Sequence, residues 1–277
     1  MRHLRLPAGG GLPVLGQGTW GMGEDPSAYA SEVTALQHGL DLGLGLVDTA
    51  EMYGSGGAER VVGDAIRGRR DEVFLVSKVL PHHADRQGTV SACEDSLRRL
   101  GTDHIDLYLL HWRGGVPLPE TLAAFAELRE AGKIGGFGVS NLDTDDMREL
   151  WSLAGGDACA TNQILYNLSR RGPEHDLLPW CRDHGVPVMA YSPIEQGRLL
   201  DDPVLGEIAE GHGVTPARVA IAWVLAGGGL CAVPKARDLA HVEENRAALD
   251  LRLTGEDLQA LNERFPPPAG AVPLDVL

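Results

Sequence analysis

The chain has 277 residues, 43% of them hydrophobic and 23% charged, with a formal net charge of −15. That size and composition describe a globular protein with one large core or two smaller ones. They exclude a membrane helix, because no apolar run approaches ~20 residues, and a nucleic-acid surface, which would concentrate lysine and arginine.

The opening MRHLRLPAGGGLPVLG has no long apolar segment and no small-residue cleavage site, which predicts a mature, cytoplasmic protein. Its apolar pieces, His3 to Leu6 and Leu12 to Leu15, flank a glycine-rich turn and predict a hairpin. Strands are then predicted at Leu15–Gly18, Leu46–Val47, Val73–Val76, Ile105–Leu110, Ile134–Val139, Ile164–Leu165, Val186–Ala190 and Leu230–Val233. Helical spacing occupies Ser31–Leu42, Ala58–Arg67, Thr89–Leu100, Pro119–Ala131, Thr144–Leu153, Glu174–His184 and Pro216–Ala226. Thr89 is the expected cap of its helix and Gly101 its stop, while Thr215 with Pro216 is a cap followed by a first-turn proline. The proline-rich tail from Phe265 is expected to be irregular.

Alternation of this kind implies a parallel sheet. Eight units without a composition break predict an α/β fold, a closed (β/α)8 TIM barrel with a short N-terminal β-hairpin, forming one domain over residues 1–277. Cys93, Cys159, Cys181 and Cys231 are far apart and form no CxxC pair, so they are expected to be reduced, buried thiols.

In a barrel the site forms at the C-terminal ends of the strands. Asp48, Lys78 and His111 stand at such ends, and Tyr53 lies in the loop after the second strand. Alone, each has a bland explanation: a helix cap, a half-buried aromatic, a solvated charge, a core histidine. Together they can make a phenol donate a proton, since a lysine beside Tyr53 would lower its pKa from near ~10 and a carboxylate would keep that lysine charged. That chemistry suits carbonyl reduction.

The motifs GLGLVDTAEMYGSGGAERVVGDAI (Gly43 to Ile66), LVSKVLP, IDLYLLHWR, IGGFGVSN and AVPKA follow one another in an order that resembles the aldo-keto reductase family, with coverage from Gly18 to Asn245. The resemblance implies a nicotinamide cofactor, NADPH or NADH, and a catalytic set at Asp48, Tyr53, Lys78 and His111. It further implies that Ser140, Asn141 and Gln163 hold the carboxamide and that Tyr191 stacks on the nicotinamide ring. Ser192, Ile194 and Gln196 of SPIEQGRLL would border the pyrophosphate, with Arg198 as a charge partner. Lys235 would meet the 2′-phosphate, and Glu244 and Asn245 the adenine. Two positions depart from the family pattern: Ala236 stands where serine is usual, and His241 where arginine is usual. Both changes weaken the expected phosphate grip, and Arg237 is a candidate to replace the charge. No GxGxxG follows a first strand, so a Rossmann domain is not expected.

Trp20 and Trp112 match aromatic pocket positions and would wall an apolar cleft beside Met22 and Met52. The loop after His111 and the tail are short, which predicts an open pocket for small aldehydes, ketones or dicarbonyls. The resemblance also implies a monomer. His82 and His83 are adjacent and lack further ligands, so no metal is expected. Two other readings stand beside the reductase: a non-catalytic NADP-binding sensor or accessory subunit on the same barrel, and a lyase or isomerase using Lys78 as a Schiff-base nucleophile.

Overall fold

The computed structural model describes residues 2–277. A short antiparallel hairpin, β1 (His3–Arg5) and β2 (Gly11–Pro13), pairs Leu4 with Leu12. The chain then runs through β3 (Gly16–Gly18), α1 (Tyr29–Asp41), β4 (Leu46–Asp48), α2 (Gly57–Ala65), β5 (Phe74–Val79), α3 (Arg86–Leu100), β6 (Ile105–Leu110) and α4 (Leu118–Glu130). It continues with β7 (Ile134–Ser140), α5 (Thr144–Ser152), β8 (Asn162–Leu165), α6 (Leu177–Asp183), β9 (Val188–Tyr191), α7 (Pro203–His212), α8 (Pro216–Ala226), β10 (Leu230–Ala232), α9 (Leu239–Ala247) and α10 (Gly255–Arg264). Strands β3 to β10 form one parallel sheet in sequence order. It is closed by a parallel bridge between Leu15 and Ala232 and by the Gly18 N–H donating to the Pro234 carbonyl at 3.0 Å. The expected (β/α)8 barrel is therefore present.

Two hydrophobic layers hold it. The outer layer packs helices on strands, with Leu36, Val61, Leu97, Phe125, Leu150 and Val219 all buried. The inner layer fills the barrel with Leu46, Val76, Leu107, Leu109, Met189, Cys231 and Val233, and Leu6 and Leu12 from the hairpin region join it. Because strand side chains alternate between faces, a residue two positions beyond an inner one points to the same axis, nearer the mouth. Leu46 leads to Asp48, Val76 to Lys78, Leu109 to His111 and Met189 to Tyr191. Gly138, paired with Leu109, leads to Ser140, and Gln163 is paired with Met189. The apolar pattern that fills the core thus aims these polar groups at one place.

Some boundaries differ from expectation. The helix assigned to a Thr89 cap begins at Arg86, because Asp85 in extended backbone accepts from the Gly88 N–H at 2.9 Å. Thr89 instead donates to the His83 carbonyl. The segment expected as a helix from Glu174 opens with a 3₁₀ turn, Gly172–Glu174, and becomes α-helical only at Leu177. Glu174 is tied to Arg171 and to the Tyr166 hydroxyl at 2.7 and 2.8 Å, which fixes that turn. Helices α7, α9 and α10 lie outside the expected set, whereas Gly101 and Thr215 terminate and cap as predicted.

Candidate active site

The loop after β4 carries Tyr53 at the start of a tight turn in which Gly54, Ser55 and Gly56 are all left-handed. Gly23 has φ +71°, and a Cβ there would meet the Gly57 carbonyl carbon at 2.3 Å, so two backbones touch beside the mouth. The Gly23 N–H donates to Glu32 Oε2 at 2.8 Å. This close approach seats the Tyr53 turn against the loop after β3.

Lys78 is wholly buried. Its Nζ lies 2.9 and 3.0 Å from the two Asp48 carboxylate oxygens, donates to the Thr49 carbonyl at 2.8 Å, and stands 3.2 Å from the Tyr53 hydroxyl. Gln163 Nε2 donates to Asp48 Oδ1 at 2.7 Å, so the carboxylate is held from two sides. Burial works against the Lys78 charge, but Asp48 and the Tyr53 oxygen outweigh it and raise its pKa. Burial also raises Tyr53, more than Lys78 lowers it. The sequence-based expectation of a lowered tyrosine is therefore reversed: desolvation of the phenolate in this enclosed site outweighs the cation's attraction. At neutral pH Tyr53 is a phenol beside an ammonium.

His111 packs edge-on to the Tyr53 ring, centroids 5.7 Å apart. Burial, assisted by Lys78, pushes its pKa down to about 2, so the imidazole is neutral. Its Nδ1 is buried with no hydrogen-bond partner. A lone pair left without a partner costs less than a stranded N–H, which assigns the proton to Nε2. Neutral His111 is then a donor beside the Tyr53 ring.

Around this centre lie the residues expected to hold a nicotinamide. Ser140 and Gln163 are buried, and Asn141 is half-buried in a left-handed conformation, φ 57°. Both donors of the Asn141 amide are used: Nδ2 donates to the His111 carbonyl and to Ser140 Oγ, both at 3.1 Å, while Oδ1 already accepts from the Tyr191 hydroxyl at 3.0 Å. A carboxamide would therefore meet the Ser140 hydroxyl proton and the free Oε1 of Gln163 more readily than Asn141. Tyr191 is half-buried, and its hydroxyl also accepts from the Leu277 N–H at 3.3 Å.

In the following loop, Ser192 and Ile194 are half-buried and Gln196 is exposed. Lys235 is half-buried; burial, then Arg237, lower its pKa, and no carboxylate lies within ion-pair distance among the described residues. His241 is exposed on α9. Glu244 is engaged by Arg218 and Thr215 at 2.5 and 2.7 Å, and Asn245 is buried beside it. Arg237 reaches Glu32 Oε1 at 3.7 Å.

The expected apolar wall is only partly assembled. Trp112 is half-buried against His111 at 4.9 Å, while Trp20 and Met52 are exposed. Met22 is fully buried in the outer core and does not line the cleft. Sequence reading missed the Thr49 carbonyl that fixes Lys78, and Asn167 and Arg170, which hold Glu195. A backbone acceptor carries no sequence signal, and the Glu195 partners sit 25 and 28 residues away.

The aldo/keto reductase family model matches residues 14–264. Methylglyoxal reductase YeaE of Escherichia coli (strain K12) is 54% identical over 271 residues, covering 96% of this chain and 95% of the relative. An aldo/keto reductase from Klebsiella pneumoniae, crystallised with NADP and acetate, superposes with a TM-score of 0.96 at 51% identity, covering 99% of each chain. A second Klebsiella pneumoniae structure, with NADPH, gives the same TM-score and identity.

Proposed function

The chain belongs to the aldo/keto reductase family, and on that premise we propose that Tyr53 is its proton donor, assisted by Lys78, Asp48 and His111. The enzyme is an oxidoreductase that reduces aldehyde or ketone carbonyls to alcohols with NADPH. The observation that carries the assignment of Tyr53 is its hydroxyl standing 3.2 Å from a wholly buried lysine ammonium.

The donor set at the mouth fits the cofactor: a free hydroxyl proton on Ser140, an open amide oxygen on Gln163, a half-buried aromatic face on Tyr191, and an unpaired cation at Lys235. When bound, the nicotinamide supplies the hydride. Tyr53 donates its proton to the oxygen on which charge develops. Lys78, already in contact with the phenol, stabilises the phenolate left behind, and Asp48 fixes the lysine's direction. His111, through Nε2–H, donates to the same oxygen and orients the carbonyl. Ser192, Ile194, Gln196 and Arg198 would border the pyrophosphate, and Lys235, His241, Glu244 and Asn245 the adenosine end.

Lys235 supports NADPH over NADH, with Arg237 exposed two residues on. Trp20 and Trp112 flank the substrate approach. The exposure of Trp20 and Met52 suits small carbonyl compounds, and the relative named for methylglyoxal points to dicarbonyls among them. The buried cation that disqualifies Lys78 as a Schiff-base amine disfavours lyase chemistry, because that nucleophile must lose its proton. We place the enzyme in the cytoplasm as a monomer acting in one domain; the four cysteines are unpaired and buried, as suits a reducing compartment. No helix among the described residues is long and apolar enough to cross a membrane. The test is NADPH consumption across a panel of small aldehydes, ketones and dicarbonyls. Absence of turnover with every member would refute the reading.

A further inference from the structure

We propose that Glu195 anchors the loop from Ser192 to Arg198 in the shape that receives NADP(H), with Arg170 and Asn167 as its fixed partners, so that these residues position the cofactor without touching the chemistry. The proposal rests on the reductase reading above.

The loop is held in a conformation that its residues do not favour. Ser192, Glu195 and Gln196 have φ of 49°, 49° and 55°, and the last two form a left-handed stretch with Gly197, which alone of these lacks a Cβ. Side-chain-bearing residues stay there only where surrounding contacts over-determine them, and such strain gathers at ligand clamps. The contacts here converge on one carboxylate. Glu195 is 4% exposed. Its Oε1 accepts from Arg170 Nε and Nη2 at 3.1 and 2.9 Å and from Arg198 Nη2 at 3.3 Å; its Oε2 accepts from Asn167 Nδ2 at 2.7 Å. The same Asn167 nitrogen donates to the Ser192 carbonyl at 2.9 Å. Fully buried Asn167, just beyond β8, therefore grips the loop at its first residue and at its turn.

The arrangement is also electrostatically suited to a nucleotide. A buried carboxylate in this loop would repel phosphate, but Arg170 neutralises it. Burial opposes the Glu195 charge; Arg170 and Asn167 overcome that and hold its carboxyl below the usual range. Arg170 is in turn shared with Asp275 at 3.4 Å, so its charge is committed. Arg198, exposed and held by one 3.3 Å contact, remains the cation able to meet phosphate oxygens. One residue thus shapes the backbone and orients the free charge.

The experiment compares Glu195→Ala, Glu195→Gln, Glu195→Gly and Arg170→Ala with the wild-type enzyme. It reads NADPH Kd by tryptophan fluorescence quenching, kcat and KM for NADPH and for one carbonyl, and Tm. Loss of preorganisation should raise the NADPH Kd about tenfold in Glu195→Ala and Arg170→Ala, with kcat at saturation and carbonyl KM nearly unchanged. Glu195→Gln should fall between, since it keeps an acceptor for Asn167. Glu195→Gly relieves the left-handed backbone yet loses the anchor, so it should bind as weakly as Glu195→Ala. Wild-type Kd in Glu195→Ala and Arg170→Ala, even with a lowered Tm, would overturn the proposal, as would a collapse of kcat at unchanged Kd. A wild-type enzyme that neither binds nor consumes NADPH would instead remove the reductase reading itself.

Discussion

Lys78 Nζ stands 3.2 Å from the Tyr53 hydroxyl while the lysine has no solvent exposure. The lysine is therefore insulated from water, and its ammonium acts on the half-buried phenol at low effective dielectric, where its influence is larger than at a surface. Asp48 completes the set by facing the lysine with both oxygens.

Removing the phenol should remove chemistry but not binding. Tyr53→Phe keeps the ring and its contact with His111, so NADPH affinity by fluorescence should stay within about twofold, while kcat falls by about 10²–10⁴, the usual contribution of a positioned acid. Near-normal turnover would discard Tyr53 as the donor.

The buried ion pair separates stability from activity. Lys78→Met leaves Asp48 charged and uncompensated, and should cost about 3–5 kcal/mol by urea unfolding. Removing both charges, as in Asp48→Leu with Lys78→Met, should recover much of that loss while turnover stays absent. Activity restored together with stability would refute a role for the lysine in the reaction.

The pH profile of reduction follows from two perturbed groups. As the proposed donor, Tyr53 must be protonated, and its pKa is raised above the ordinary value near ~10, so that form persists through neutral and mildly alkaline pH and is lost only as pH climbs through that raised value. His111 stays neutral down to about 2. Saturated kcat should accordingly show no break between about pH 5 and 9. A break near ~6.5, where an ordinary histidine titrates, would contradict a neutral His111.

The same histidine should make the fold acid-sensitive. In the unfolded chain it binds a proton near ~6.5, in the folded protein only at about 2, so the unfolded state holds more protons between those values. Its contribution is fully present above the unfolded pKa and is lost as pH falls, by about 1.4 kcal/mol per pH unit. Urea unfolding at pH 7, 6 and 5 checks this, and His111→Phe should flatten the slope in that window.

Thiol chemistry should be silent in the native state. Burial raises the pKa of all four cysteines, with Cys93, Cys159 and Cys181 pushed up to about 12 and Cys231 higher still. A thiol reagent at mildly alkaline pH should label none of them natively and all four in denaturant. Rapid native labelling would disprove the buried placement.

Much of this was legible in the residues. Apolar runs at Ile105 to Leu110 and Ile134 to Val139 gave strands at those places, and Gly101 and Thr215 ended and began helices where their chemistry dictates. The Thr89 cap failed because Asp85, four residues earlier, starts the helix by accepting from the Gly88 N–H, which leaves Thr89 inside the first turn. Helices α9 and α10 went unrecognised because their exposed faces are charged and their apolar stripes narrow, with Leu261 the one fully buried side chain of α10.

The amino-acid sequence by itself determined the barrel and the identities of the polar groups at its mouth, because alternation along a strand is a local property and Asp48, Lys78, His111 and Tyr191 each sit two residues beyond a core residue. The tertiary structure alone decided their environment. Whether Lys78 lowers the Tyr53 pKa depends on how far both are removed from water, and here burial wins. Whether Asn141 is free for a carboxamide depends on Tyr191 and His111, brought to it across 50 and 30 residues. Whether Glu195 repels or supports a nucleotide depends on Arg170 and Asn167, which the pairing of β8 with β9 sets beside it. Charge and hydrogen-bonding capacity belong to residues, but the energies that tune them belong to neighbours and to the exclusion of solvent, and those exist only once the chain has folded.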